Sequence, residues 1–473
     1  MASALADAAC AAGRGVAPAL RHAGETVSYA DLAARQDRAA AALRGRGIER
    51  GDRVAIVLRD SPEFIAAFLG ATKIGAIPVP LSTLARPDDL ESMVRDCAAR
   101  LVVTEATATL LEEGAGPVAA AATRGDDMCF WQYSSGTTGG PKAVIHLHER
   151  TLAPAHAHGR HVVGLRSDDR VLSTAKLFFS YGLQSSMIIP LAAGASVVLD
   201  PERFAPERVW ALIAREHPTV LYAVPGAYSA LLASAEAGVP ADVASVRCCI
   251  SAGEALPAAL AERWSRRFGI AIVDGMGSTE IGYIAISNTA TDLTPGSSGV
   301  PVPGYEARVV GEGGRDVVPG DAGTLWVRGP STAEGYHDRP ERTAATFRDG
   351  WVMTGDRYRV QDGRYIHLGR DDDMLRVGAQ WVSPLEVEAV LASHPDVLEG
   401  AVVGRADRDG LLRPCAYVVP RRESAALTGE LLALCAAKLP GHKRPRWIEI
   451  LPELPKTATG KIQRYRLREA ARS

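Results

Sequence analysis

No apolar run in this 473-residue sequence is long enough to cross a bilayer; the longest, Met187 to Leu199, falls short of the roughly 20 residues a membrane helix needs. Paired cysteines are also missing. The seven cysteines (Cys10, Cys97, Cys129, Cys248, Cys249, Cys415 and Cys435) show no CxxC or metal-ligand spacing and several lie in apolar, strand-like runs, so they read as reduced core residues. Charge of one sign is not in excess. A formal net charge of -2 gives no general attraction to nucleic acid or to an anionic membrane, so any anion site must be local. The Ala-rich N-terminus has no basic segment ahead of it and is interrupted by Asp7, which argues against a secretory signal. Internal repeats and low-complexity tracts are absent. These features predict a soluble, cytoplasmic protein, monomer or homodimer, with no nucleic-acid or membrane partner.

What is present is the composition of a globular protein, 47% hydrophobic and 23% charged, with length enough for two or three domains. From Arg53 to about Asp274, short Val/Ile/Leu runs (Val54 to Leu58, Val197 to Leu199, Val220 to Val224, Arg247 to Ile250) alternate with segments of helical period, such as Pro62 to Ile74 and Pro206 to Arg215. This pattern predicts an α/β fold of mostly parallel sheets flanked by helices, with ligands beyond the carboxyl ends of the strands. After Pro295, Gly and Pro turns separate short strands (Ala307 to Val310, Gly323 to Val327, Gly363 to Leu368), predicting a small β-rich subdomain over about 295–368. The expected division is a large N-terminal domain over 1–369 and a small α+β domain over 370–473, whose own helices are Pro384 to Ala392 and Leu427 to Leu439.

The strongest local signal is Tyr133-Ser-Ser-Gly-Thr-Thr-Gly-Gly-Pro-Lys142. Its backbone N–H groups and the hydroxyls of Ser134, Ser135, Thr137 and Thr138 suit phosphate oxygens, and Gly136 and Gly139 let the chain close around them, with Lys142 as countercharge. It is not a Walker A loop: Pro141 stands where that motif needs glycine, Ala143 follows the lysine, and Val144 to Leu147 reads as a strand.

With this loop the chain resembles the adenylate-forming superfamily of acyl-CoA synthetases, luciferases and peptide-synthetase adenylation domains. Further motifs follow in that family's order: Ser251-Ala-Gly-Glu-Ala-Leu256, Asp274-Gly-Met-Gly-Ser-Thr-Glu280, Thr354-Gly-Asp356, Gly369-Arg-Asp-Asp-Asp373 and Pro455-Lys-Thr-Ala-Thr-Gly-Lys461. The resemblance implies ATP and Mg²⁺ as cofactors and activation of a carboxylic acid as its acyl-adenylate. It assigns Glu280 to the metal, Thr279 to the phosphates, and Gly253, Glu254 and Ala255 to the adenine slot beside Asp274, Gly275, Met276 and Gly277. Asp356 would bind the ribose, with Arg370 beside it. Lys461 would reach over the forming adenylate, and Asp372 would be the pivot on which the C-terminal domain swings between two half-reactions.

Amino-acid-activating relatives usually carry an aspartate near the start of the helix after this region, whereas Lys176-Leu-Phe-Phe-Ser-Tyr-Gly-Leu183 has no acid. This run, with Ser251-Ala-Gly-Glu-Ala-Leu-Pro257 and Gln380-Trp-Val-Ser-Pro384, is similar to benzoate-CoA ligases and implies a small, flat aromatic acid. Phe179, Tyr181, Ala223, Met276, Gly277, Ile281 and Tyr283 are the candidate pocket residues. Ile281, Gly282 and Tyr283 replace bulkier residues usual in benzoate ligases, which suggests a substituted benzoate. Ala379 stands where the family has a glycine near the incoming pantetheine, leaving three acceptors open: CoA, a carrier-protein phosphopantetheine, or another nucleophile.

Overall fold

The computed structural model describes residues 1–134, 141–377, 380–408, 410–422, 424–456 and 462–471. Its largest unit is a nine-stranded sheet with edge-to-edge order Val300–Pro301, Ile284–Ser287, Ile272–Gly277, Cys248–Ser251, Val220–Ala223, Arg170–Ser173, Ser196–Leu199, Pro18–His22 and Glu25–Ser28. The six strands from Ile272–Gly277 to Pro18–His22 run parallel, as the apolar runs predicted. Both edges are antiparallel, which the run pattern did not announce.

Burial on both faces explains why these strands lack polar alternation. In Val220–Ala223, Val220 and Tyr222 enter one apolar cluster while Leu221 and Ala223 enter another on the opposite face. The second face is covered by helices Pro206–Glu216, Pro225–Glu236 and Ala258–Phe268, packed around the fully buried Trp264. On the first face, toward the N-terminal part of the chain, helix Pro62–Lys73 is buried from Phe64 to Lys73. Its Ser61 cap accepts the Phe64 N–H, and Pro62 supplies the preset first turn. Gly70 allows this helix to touch helix Tyr29–Gly45, since a Cβ there would lie 2.8 Å from the Ala40 backbone. Lys73 is neutralised within this core by Asp7 at 3.0 Å and Asp37 at 2.5 Å.

A parallel three-stranded sheet, Ile77–Pro80, Arg53–Val57 and Leu101–Thr104, packs against the hairpin of Met128–Ser134 and Lys142–Leu147 through Val57, Val79, Met93, Trp131 and Ala143. The β-rich segment forms a five-stranded antiparallel sheet of Glu306–Val310, Gly323–Arg328, Phe347–Arg348, Trp351–Gln361 and Arg364–Arg370. Toward the C-terminus, the sheet Val397–Ala406, Leu412–Pro420 and Trp447–Ile450 is covered by helices Pro384–Ala392 and Leu427–Lys438. No described helix is long and apolar enough to cross a membrane.

Trp264 stacks near Trp210, Tyr228 and Phe268 with ring centroids 4.5–6.2 Å apart. Trp264→Ala is therefore expected to destabilise the N-terminal core by about 3–5 kcal/mol, read by chemical denaturation; a change under about 1 kcal/mol would contradict this packing.

Candidate active site

Several of the candidate residues lie where the parallel strands end. The segments that follow Arg170–Ser173, Val220–Ala223, Cys248–Ser251 and Ile272–Gly277 carry Phe179 and Tyr181, Val224, Gly253 to Ala255, and Thr279 to Tyr283 respectively. The hairpin carries the ends of the loop expected to bind phosphate: Ser134 is paired across it with Lys142, and Ser135, Gly136, Thr137, Thr138 and Gly139 lie outside the described residues.

Glu280 ties these segments together. Its Oε1 accepts hydrogen bonds from Ser134 Oγ at 3.3 Å and from Tyr336 OH at 2.9 Å. Lys142 Nζ donates to the same Tyr336 hydroxyl at 3.3 Å and lies 4.4 Å from the centre of its ring. Burial holds Lys142 below the ordinary lysine pKa; the Glu280 charge opposes that shift, and Arg342 and Arg370 reinforce it. Cations gathered in a half-buried site repel one another, so an incoming polyphosphate would relieve them.

Asp356 and Arg370 face each other across antiparallel strands, with Arg370 Nη1 3.0 Å from Asp356 Oδ1. Gly355, at φ +71°, makes the bend that brings the two together; a Cβ on it would lie 3.3 Å from Arg370 Nη2. The Thr354 hydroxyl accepts the Asp356 N–H at 3.1 Å, and His367 Nε2 lies 3.8 Å from Asp356.

Close backbone approach accounts for two of the glycines. A Cβ on Gly275 would lie 2.6 Å from Ile284, and one on Gly277 would lie 2.2 Å from the Tyr283 carbonyl oxygen. Asp274 is buried, and desolvation raises its carboxyl to about 8, against hydrogen bonds that favour the charged form. Gly253 has a left-handed φ of +94°, and Glu254 and Ala255 are half-buried beside it. Thr279 is half-buried in the turn before Gly282, whose N–H it accepts.

The candidate pocket residues divide into neighbouring groups. Tyr181 and Tyr283 are near-parallel, with centroids 6.0 Å apart, while Met276 and Ile281 share a cluster with Ala157. Phe179 packs edge-on to Phe178 at the border of the N-terminal core. Ala223 faces the helix-covered side of the sheet, and Tyr222 is the residue of that strand that meets Tyr181.

At the other end of the chain, Lys461 and Ala379 lie outside the described residues. Arg464, three residues beyond Lys461, makes a bidentate pair with Glu388 at 2.8 Å and lies within electrostatic reach of Glu254. Asp372 sits in the short helical turn Asp371–Asp373, which is held by Thr324 to Asp371 at 3.1 Å and by Arg468 to Asp373 at 2.7 Å.

Three supporting residues escaped the sequence reading. Tyr336, which bridges Lys142 and Glu280, stands alone in a turn-rich stretch with no motif around it. Asp60 accepts the Leu177 N–H at 2.9 Å and Gln132 donates to the Phe178 carbonyl at 2.7 Å, so together they pin the loop that carries Phe179. In sequence, Asp60 looks like an ordinary helix-cap neighbour and Gln132 like a strand residue.

Desolvation raises the Asp60 carboxyl to about 7, only partly offset by Lys176 and by the Leu177 N–H. Its folded-state pKa lies above its unfolded value, so the stability it contributes is present at acid pH and is lost as pH rises toward and through 7. Asp60→Asn is expected to flatten the fall of the unfolding midpoint between pH 5 and 8 by a few degrees; an unchanged pH profile would contradict a neutral Asp60. Tyr336→Phe keeps the ring over Lys142 but removes the hydroxyl from Glu280, and should lower acid-dependent ATP–pyrophosphate exchange about tenfold; an unchanged rate would remove Tyr336 from the site.

Comparison with known proteins agrees with this geometry. The family described as AMP-binding enzyme matches residues 7–337, and the AMP-binding enzyme C-terminal domain matches residues 386–461. A benzoate–CoA ligase of Thauera aromatica is 42% identical over 94% of this chain and 90% of its own length. A 4-hydroxybenzoate–CoA/benzoate–CoA ligase of Rhodopseudomonas palustris is 40% identical over 97% and 92%. Among solved structures, an anthranilate CoA ligase in complex with anthranoyl-AMP superimposes with a TM-score of 0.95 at 38% identity, covering 100% of this chain and 97% of that one. A benzoate CoA ligase from Burkholderia xenovorans gives 0.92 at 38% identity, covering 99% of each. The chain belongs to the AMP-binding enzyme family, within the adenylate-forming superfamily.

Proposed function

We infer that this protein is an aryl-acid:CoA ligase. It activates a small, benzoate-like carboxylic acid with ATP, releases pyrophosphate, and transfers the acyl group to CoA as a thioester. The observation that carries this reading is the pairing of two polar groups at the strand ends, Ser134, Lys142, Glu280 and Tyr336 on one side and Asp356 with Arg370 on the other. The first suits a polyphosphate and the second a ribose.

In the first half-reaction a carboxylate oxygen of the acid attacks the α-phosphorus of ATP, and the bond to the β,γ-pyrophosphate breaks. Lys142, with Thr279 and the loop Ser134 to Gly139, holds the phosphates in line, so that charge gathering on them meets fixed donors. Asp356 accepts from the ribose hydroxyls and is itself oriented by Arg370. Gly253, Glu254 and Ala255, with the backbone from Asp274 to Gly277, form the adenine slot. Phe179, Tyr181, Met276, Gly277, Ile281 and Tyr283 surround the ring of the acid, while Ala223 faces the helix-covered side of the sheet. Lys461 supplies the last cation for adenylation.

Glu280 fits Mg²⁺: a single carboxylate, completed by phosphate oxygens and water, is the donor set this hard ion usually takes beside a nucleotide. When bound, Mg²⁺ supplies further neutralisation of the phosphates. In the second half-reaction the CoA sulfur attacks the adenylate carbonyl, the thiol proton is lost to solvent, and AMP leaves. The domain over 370–473 turns about Asp372 between the halves, replacing Lys461 with the hairpin around Ala379. We place the enzyme in the cytoplasm, where its cysteines, all free and six of them buried, stay reduced.

Labelled pyrophosphate should exchange into ATP in the presence of benzoate-like acids, and aryl-CoA and AMP should appear when CoA is added. Exchange without aryl-CoA would overturn the CoA half, and transfer to a carrier protein, seen by mass spectrometry, would replace it. Lys461→Ala should lower exchange about a hundred- to a thousandfold. Chelation of divalent metal should abolish exchange and added Mg²⁺ restore it; exchange that survives chelation would remove Glu280 from metal binding.

A further inference from the structure

Beyond the ATP groups, the aromatic cluster contains polar atoms with no hydrogen-bond partner. Both ring nitrogens of His158 are unpartnered, and the hydroxyls of Tyr222 and Tyr283 have no partner beyond each other, although the three residues are only 0%, 0% and 2% exposed. Buried polar groups are almost always satisfied, and each that is not costs the folded protein free energy. A fully buried imidazole with neither nitrogen satisfied, beside two phenols that have only each other, therefore calls for an occupant.

Their placement is built by the fold. His158 lies on a one-turn π-helix, Ala155–Gly159, whose widened turn buries both Ala157 and His158. Gly159 lets this turn press on the segment after a second π turn, Gln184–Ile188, because a Cβ there would lie 2.8 Å from Ile189. Tyr283 is brought inward by Gly282, at φ +91° and too close to the Ser331 carbonyl to bear a side chain. The His158 ring then meets Tyr283 edge-on at 5.3 Å, Tyr283 lies alongside Tyr181 at 6.0 Å, and Tyr181 meets Tyr222 edge-on at 6.1 Å. Tyr181 differs from its neighbours: its hydroxyl is spent on the Ile250 carbonyl at 3.2 Å.

We propose that His158, Tyr222 and Tyr283 form a polar subsite that selects an aromatic acid carrying a hydrogen-bond-donating ring substituent, a hydroxyl or an amino group, over its unsubstituted or methylated counterpart. The inference rests on the aryl-acid ligase reading and narrows it. Burial lowers the His158 pKa to about 3, so the imidazole is neutral and one of its nitrogens accepts. The phenol oxygens also accept, and each can donate in return. A hydroxyl or amino substituent satisfies these groups. A methyl group of similar size leaves the buried imidazole unpaired, the situation in which binding sites discriminate most strongly.

The test compares kcat/KM for acid-dependent pyrophosphate exchange with benzoate and with hydroxy-, amino- and methylbenzoates substituted at positions 2, 3 and 4. Wild type, Tyr283→Phe and His158→Leu are measured on the same panel. Wild type is expected to prefer at least one hydroxy or amino acid over its methyl isostere by about tenfold or more, and both substitutions should move that ratio toward unity. The hydroxy and amino arms tell the two donors apart. A wild-type preference for benzoate or the methyl acids, or a ratio that both variants leave unchanged, overturns the subsite and marks the cluster as a water site. Exchange with no aromatic acid at all overturns the ligase reading itself, a distinguishable result. Independently of any variant, the preferred acid should raise the unfolding midpoint of the wild-type protein more than its methyl isostere at equal concentration; equal shifts also overturn the subsite.

Discussion

The Glu280 carboxylate is the point on which the site depends. It accepts from Ser134 at the end of the hairpin and from Tyr336 on the short strand beside that hairpin, while standing itself in the turn beyond the central sheet. Two strands of one three-stranded sheet and the turn beyond the central sheet thus meet at one carboxylate. The neighbouring cation, Lys142, is held to the same tyrosine, by its hydroxyl and by the face of its ring. A half-buried carboxylate and a half-buried ammonium tied to one neutral phenol give a polar node that is close to charge balance and, with Arg342 and Arg370 nearby, able to take up further anions.

Around this node the fold trades side chains for proximity. Gly275 and Gly277 let the antiparallel edge strand lie directly against the last parallel strand, and Gly282 turns the chain so that Tyr283 points into the aromatic cluster. Within eight residues of Gly275 the same turn has positioned both Glu280 and Tyr283. Adenylation needs this economy, because the carboxylate of the substrate must reach the α-phosphorus while its ring stays among apolar groups. Asp60 and Gln132 perform the complementary task from outside, holding the backbone at Leu177 and Phe178 by hydrogen bonds to main-chain atoms.

Much of this was legible in the sequence because it is local. The runs that became Ser196–Leu199, Val220–Ala223 and Cys248–Ser251 are uninterrupted by polar residues since both faces are buried, and the helix Pro62–Lys73 announces itself by Ser-Pro at its start. The loop from Tyr133 to Lys142 is readable from its hydroxyls, glycines and lysine at short spacing, and the Thr354-Gly-Asp356 bend and the motif ending in Glu280 are readable through their resemblance to the adenylate-forming superfamily. What the sequence hid is long-range. Tyr336 lies 194 residues from Lys142 and Asp60 lies 117 from Leu177, and neither residue type in its own setting suggests a ligand site. The antiparallel edges of the main sheet were hidden for a related reason, since strand direction is set by chain return and leaves no mark on composition. His158 was hidden by a π turn, which shifts the burial face away from the helical period.

In adenylation the acid's own carboxylate oxygen attacks the α-phosphorus. The most direct measurement is a single turnover with acid labelled with ¹⁸O in its carboxylate, in the presence of ATP, Mg²⁺ and CoA, with mass spectrometry of every product. The prediction is one ¹⁸O atom in AMP and none in pyrophosphate. Label found in a phosphate other than that of AMP, or AMP formed without label, would contradict it.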